Sequence, residues 1–159
     1  MKLCRIGELG KEKPAIIDKD GSYKDLSSAV SDFNPESLNF ETIDKIKKLN
    51  IKDLPTLDAN SRIGACVNNP SKFLGIGLNF KDHATEQNLP IPKEPIIFSK
   101  FTNCIVGPND NIEVPKNSNH TDWEVENGFV IEKKAKYVEE KNELDYVLGF
   151  FLVTDVSER

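Results

Sequence analysis

The segment Thr121-Asp122-Trp123-Glu124-Val125-Glu126 reads as a strand that carries two carboxylates at alternate positions. Successive strand side chains point to opposite faces, so Glu124 and Glu126 share one face and Trp123 and Val125 the other. Two like charges held side by side repel, and a protein that keeps them there either supplies a cation or exposes both to water. A third carboxylate, Asp155, stands where the later apolar run Val147 to Val153 gives way to Thr154-Asp155. Three carboxylates form a hard-oxygen donor set that suits Mg²⁺, Mn²⁺ or Ca²⁺, whereas zinc prefers nitrogen and sulfur. On spacing alone, the simpler alternative is favoured: Glu-x-Glu on the solvated face of an antiparallel sheet.

A second pair has different chemistry. His83 and Glu86 are three residues apart in a stretch with the look of a helical turn, Asn79 to Glu86, and so fall on one side of it. A carboxylate beside an imidazole orients the ring and raises its basicity, as a general base requires; an ordinary surface His-Glu pair has the same spacing. Lys100, at the end of the apolar segment Ile96 to Ser99, is placed to reach an anionic substrate.

The elements that must position these residues divide by texture near residue 70. Before it, Leu3 to Ile6, Ala15 to Asp18 and a strand around Tyr23 form a small meander, with Asp20-Gly21 as the hairpin turn. Phe40, Ile43, Ile46 and Leu49 recur every third residue, a helical stripe that Asn39 or Ser37 would cap. Residues 50–69 read as a polar connector ending in the turn Asn68-Asn69-Pro70. Beyond it come strands at 72–77, 96–99, 112–114 and 123–131, a short helix at 139–146, and a buried strand at 147–153 that ends at Thr154-Asp155. The expected organisation is a small domain over 1–69 and a second, strand-rich one over 70–159, in an α+β, mainly β, fold.

Composition narrows the function classes. At 159 residues the chain can bury one core, and its net charge of -5 argues against a nucleic-acid or anionic-membrane partner. Cys4, Cys66 and Cys104 are odd in number and lack metal-ligand spacing, which points to reduced thiols in a cytoplasmic protein. No glycine-rich phosphate loop follows any strand, and no apolar run is long enough to span a bilayer.

Four motifs, taken in order, carry a resemblance. They are Gly75-Ile76-Gly77-Leu78-Asn79-Phe80-Lys81-Asp82-His83-Ala84-Thr85-Glu86, then Leu89-Pro90-Ile91-Pro92-Lys93-Glu94-Pro95-Ile96-Ile97-Phe98, then Asp122-Trp123-Glu124-Val125-Glu126, and last Asp155-Val156-Ser157-Glu158-Arg159. In this order and wording the chain resembles the fumarylacetoacetate hydrolase family, above all bacterial members described as ureidoglycolate lyases or hydrolases of 2,4-dioxo sugar acids. The resemblance implies a mixed β-roll of which this chain supplies an incomplete, N-terminal part. It implies a divalent metal, usually Mg²⁺, held by Glu124, Glu126 and Asp155, with His83 and Glu86 as the catalytic dyad. It further implies a small oxo-acid substrate and a homodimer, or completion by a separate C-terminal half. A remnant without catalysis, or a module that binds a small acid or a cation, is the alternative. The chain departs from the family pattern at Asn127-Gly128, where apolar residues are usual, at Glu132, and at Thr154 before Asp155.

Overall fold

A computed structural model describes residues 1–158. They are mainly β with few helices, and fall into two compact units: residues 1–68 with 106–158, and Asn69–Ile105.

In the first unit the expected meander forms. Strands β1 (Lys2–Ile6), β2 (Lys13–Ile17) and β3 (Tyr23–Asp25) pair antiparallel, with Gly21 in the left-handed region at the turn before β3. A fourth strand, β4 (Ile63–Gly64), lies beside β1 and completes the order β3-β2-β1-β4. It falls within the stretch expected to be only a connector, because two residues carry no periodicity to read. Alternation along β1 and β2 sends side chains to both faces. Ile16, with Leu3 beside it, joins Leu26, Val30, Phe33 and Ile46 in one buried cluster, and Cys4, Ile6 and Ala15 form another. Helix α1 (Phe40–Lys47) lays Ile46 into the first cluster. Asn39 caps it, its side chain accepting from the Thr42 N–H at 2.8 Å. The apolar stripe outlasts the helix, and Leu49 still packs on the core beyond its end.

A chain of alternating charges ties distant segments of this unit together. Arg5, buried in β1, donates through Nε and Nη2 to both oxygens of Asp32, at 2.7 and 3.0 Å, and also reaches Glu12 at 3.3 Å. Glu12 accepts from Arg62 at 2.6 Å, and Arg62 donates to Asp110 at 2.7 Å. Burial raises the pKa of the Glu12 and Asp32 carboxyls, but hydrogen bonds and the neighbouring guanidinium charges outweigh it and hold both below the usual carboxylate range. Asp110 is held low by its hydrogen bonds from Arg62 and the Gly107 N–H.

The same unit carries an antiparallel ladder of β7 (Thr121–Ile131) and β8 (Val147–Glu158), with a 3₁₀ segment, Glu140–Tyr146, in the connection between them where a short helix was expected. Two further expectations are corrected here. Strand β8 continues past Asp155 to Glu158, because it pairs with β7 along the whole ladder, and it is not buried: Phe150 and Leu152 are 64% and 83% exposed while Phe151 and Val153 on the other face are half-buried. Residues 112–114 form no strand; Pro115 follows, and among the described residues they join no ladder.

The second unit is a hairpin of β5 (Phe73–Gly77) and β6 (Ile96–Lys100), with helix α2 (Lys81–Glu86) in the connection between them. Of its described apolar side chains only that of Ala84 is buried.

Candidate functional site

The β7–β8 register decides where the carboxylates stand. Glu124 lies directly opposite Asp155, and Glu126 lies opposite Val153. Residues opposed in an antiparallel ladder share a face, with Cβ atoms about 4.5–5.5 Å apart. Glu124, Glu126 and Asp155 therefore project from one face, half-buried, while Trp123, Val125 and Phe129 are exposed on the other. Asn127 falls on that second face, opposite Leu152, away from the carboxylates. Gly128 is on the carboxylate face, and the Phe151 ring covers it so closely that a Cβ there would stand 2.4 Å from the ring. The absence of a side chain at Gly128 thus has a packing reason.

As a donor set, three carboxylate groups on one face suit a hard divalent cation in chemistry and in register. Among the described residues, no three His, Cys, Asp or Glu side chains are gathered closely enough to hold a metal ion in this conformation.

His83 and Glu86 lie in the second unit, on α2. The turn into that helix passes through Leu78, a non-glycine residue at φ 50°. The helix closes on Asn88, also left-handed, with the N–H groups of Asn88 and Leu89 returning to the carbonyls of Thr85 and Ala84 at 3.1 and 2.9 Å. The expected pairing is loose: His83 Nδ1 stands 3.8 Å from Glu86 Oε2, within ion-pair range but beyond a hydrogen bond. The ring has a nearer neighbour that reading the sequence missed. Gln87 Nε2 is 3.2 Å from His83 Nε2. The i,i+4 spacing was the available signal, and a glutamine at that spacing is common on any helix. Lys100 pairs in register with Phe73, at the end of the β5–β6 hairpin away from Gly77, where the chain departs toward α2.

All three cysteines are free. Burial pushes the Cys4 thiol up to about 11 and also raises that of Cys66, so neither has the depressed pKa of a nucleophilic thiol. No described helix is long and apolar enough to cross a membrane.

Comparison with known proteins places the chain in a family. Residues 72–159 match the family model described as fumarylacetoacetate (FAA) hydrolase C-terminal. The whole chain is 49% identical over 159 residues to a Burkholderia lata protein named "Putative hydrolase", covering 56% of it. It is similar in structure to 5-carboxymethyl-2-hydroxymuconate delta-isomerase from Mycobacterium smegmatis, with a TM-score of 0.70 and 25% identity over 100% of this chain and 56% of that one. The fold is also that of a fumarylacetoacetate hydrolase from the psychrophilic Exiguobacterium antarcticum, with a TM-score of 0.75 and 24% identity over 100% of this chain and 57% of that one. The chain spans about half the length of the curated relatives it matches. With the family model matched over more than half its residues, the chain belongs to the fumarylacetoacetate hydrolase family.

Proposed function

We propose that this chain carries the cation-binding and proton-handling residues of a divalent-metal-dependent hydrolase or lyase for small oxo acids. The observation that carries this reading is the ladder register that sets Glu124 across from Asp155, with Glu126 beside them on one face. Glu124, Glu126 and Asp155 would hold Mg²⁺, with Mn²⁺ or Ca²⁺ as substitutes, once their side chains turn toward one another. The chemistry such a cation would supply there is Lewis-acid polarisation of a carbonyl.

The remaining work falls to the chain's own groups. His83, oriented by Glu86, takes a proton from a water whose oxygen adds to the ketone carbon. The bond from that carbon to the neighbouring methylene breaks, and the methylene carbon takes up the proton. Lys100 offers a positive charge to the substrate's anionic group. The same groups serve C–C hydrolysis of acylpyruvates and other 2,4-dioxo acids, or cleavage of ureidoglycolate to glyoxylate and urea. The likeness to a delta-isomerase favours a second reading, in which His83 moves a proton between carbons without hydrolysis. In either case the active assembly takes in a partner, a second copy or the remaining half of the family domain, and the large apolar face of Trp123, Phe129, Phe150 and Leu152 agrees with that.

The test is turnover of an acylpyruvate and of ureidoglycolate in the presence of Mg²⁺, in a chain extended to the length of its relatives. His83→Ala should abolish product formation and leave Mg²⁺ affinity nearly intact, since imidazole is not among the ligands. Undiminished turnover in His83→Ala would remove the imidazole from the mechanism. Cation binding without turnover in the parent chain would leave only a binding module.

A further inference from the structure

The nearest polar neighbour of the His83 ring is not Glu86. Gln87 Nε2 lies 3.2 Å from His83 Nε2, against 3.8 Å between Glu86 Oε2 and His83 Nδ1. An amide nitrogen has only hydrogens to offer, so a contact of this length is attractive only if His83 Nε2 presents its lone pair. The ring proton of the neutral imidazole then sits on Nδ1, facing the Glu86 carboxylate.

The backbone fixes this relation. Gln87 is one helical turn beyond His83, and its N–H donates to the His83 carbonyl at 3.2 Å. The left-handed Asn88 and the returning bonds from Asn88 and Leu89 lock the end of α2 directly after it. Residues three and four positions apart stand over the same patch of helix surface, so Glu86 and Gln87 flank one ring from opposite nitrogens.

We propose that Gln87 is a positioning residue that fixes the tautomer of His83, reserving Nε2 as the basic nitrogen and leaving Nδ1–H to Glu86. Given the proton-transfer role proposed above, Gln87 also holds the place of the reacting group, and water or substrate must displace its amide to reach Nε2.

The chain has two histidines, which makes the test direct. Long-range ¹H–¹⁵N correlation on the ¹⁵N-labelled chain at alkaline pH reads the tautomer of each, with the exposed His120 as internal control. Wild type should show His83 chiefly as the Nδ1–H form. Gln87→Leu, which keeps the bulk and loses the donor, should shift the ratio toward Nε2–H by about fivefold, the population change that one ordinary hydrogen bond is worth. Gln87→Glu replaces donor by acceptor and should make Nε2–H the major form. Gln87→Arg keeps donors at the position and should restore the wild-type preference, which separates a tautomer effect from a loosened helix. His120 should be unchanged throughout. A wild-type His83 in the Nε2–H form, or a ratio that none of the three substitutions moves, overturns the proposal. Because the readout is the ring proton, its failure leaves the proposed reaction standing, and a lack of turnover leaves the tautomer assignment standing.

Discussion

The ring of Phe151 packs over Gly128 across the β7–β8 ladder, on the same face as Glu124 and Glu126. A methyl group at residue 128 has nowhere to go without displacing that ring. Gly128→Ala should therefore destabilise the chain by about 1 kcal/mol, the low end of the cost of overpacking, because the half-buried ring can swing aside. Gly128→Ala combined with Phe151→Ala should cost less than the sum of the two single changes, because the clash vanishes with the ring. Denaturant unfolding of the four chains checks this. Strict additivity would show that the ring and the glycine do not meet.

The charge chain Asp32-Arg5-Glu12-Arg62-Asp110 makes stability depend on pH with a definite sign. Glu12, Asp32 and Asp110 have carboxyls held below their ordinary values in the folded chain. Their contribution is fully present above the unfolded carboxylate range and is lost as pH falls through the depressed folded values. Urea unfolding from neutral pH down to about pH 3 should show stability falling steeply below about pH 4–5. Asp110→Asn should flatten that slope. Glu12→Gln removes the carboxylate shared by Arg5 and Arg62, each of which keeps its own aspartate, and should cost about 1.5–3 kcal/mol at neutral pH, the worth of a hydrogen bond to a charged group.

The two helices should respond to capping in opposite directions. Asn39→Ala removes the side-chain acceptor for Thr42 N–H and should destabilise by about 1 kcal/mol. At α2 the N-cap residue is Phe80, which makes no side-chain cap hydrogen bond, so Phe80→Asp should stabilise the helix by a similar amount. Thermal melts of the two variants against the parent chain, shifted in opposite senses, are the expected result.

Much of this was legible because it is local. Asn39 ahead of the Phe40, Ile43, Ile46 stripe marks the start of α1, and alternation alone puts Glu124 and Glu126 on one face of β7. What escaped depends on distance along the chain. Ile63-Gly64 becomes a strand only because β1 offers it an edge, and Val147 to Val153 reads as buried although Phe150 and Leu152 are exposed on one face of the ladder. Arg5 and Arg62 are 57 positions apart, and no periodicity announces that both meet Glu12. An arginine between Cys4 and Ile6 in an apolar strand was the one sign of a buried charge partner. The carboxylate pair was visible from the sequence, whereas the direct opposition of Glu124 and Asp155 needed the register.

The opposition of Glu124 and Asp155 serves, in the proposed function, to hold a cation. The most direct test is calorimetric titration of Mg²⁺ and Mn²⁺ into the chain as it stands and into Glu124→Gln, Glu126→Gln and Asp155→Asn, with circular dichroism to confirm that each variant retains its β structure. Wild type should bind one ion saturably, and each substitution should weaken binding at least about tenfold, which corresponds to roughly 1.4 kcal/mol. Equal affinities in wild type and in all three folded variants would contradict this cation site.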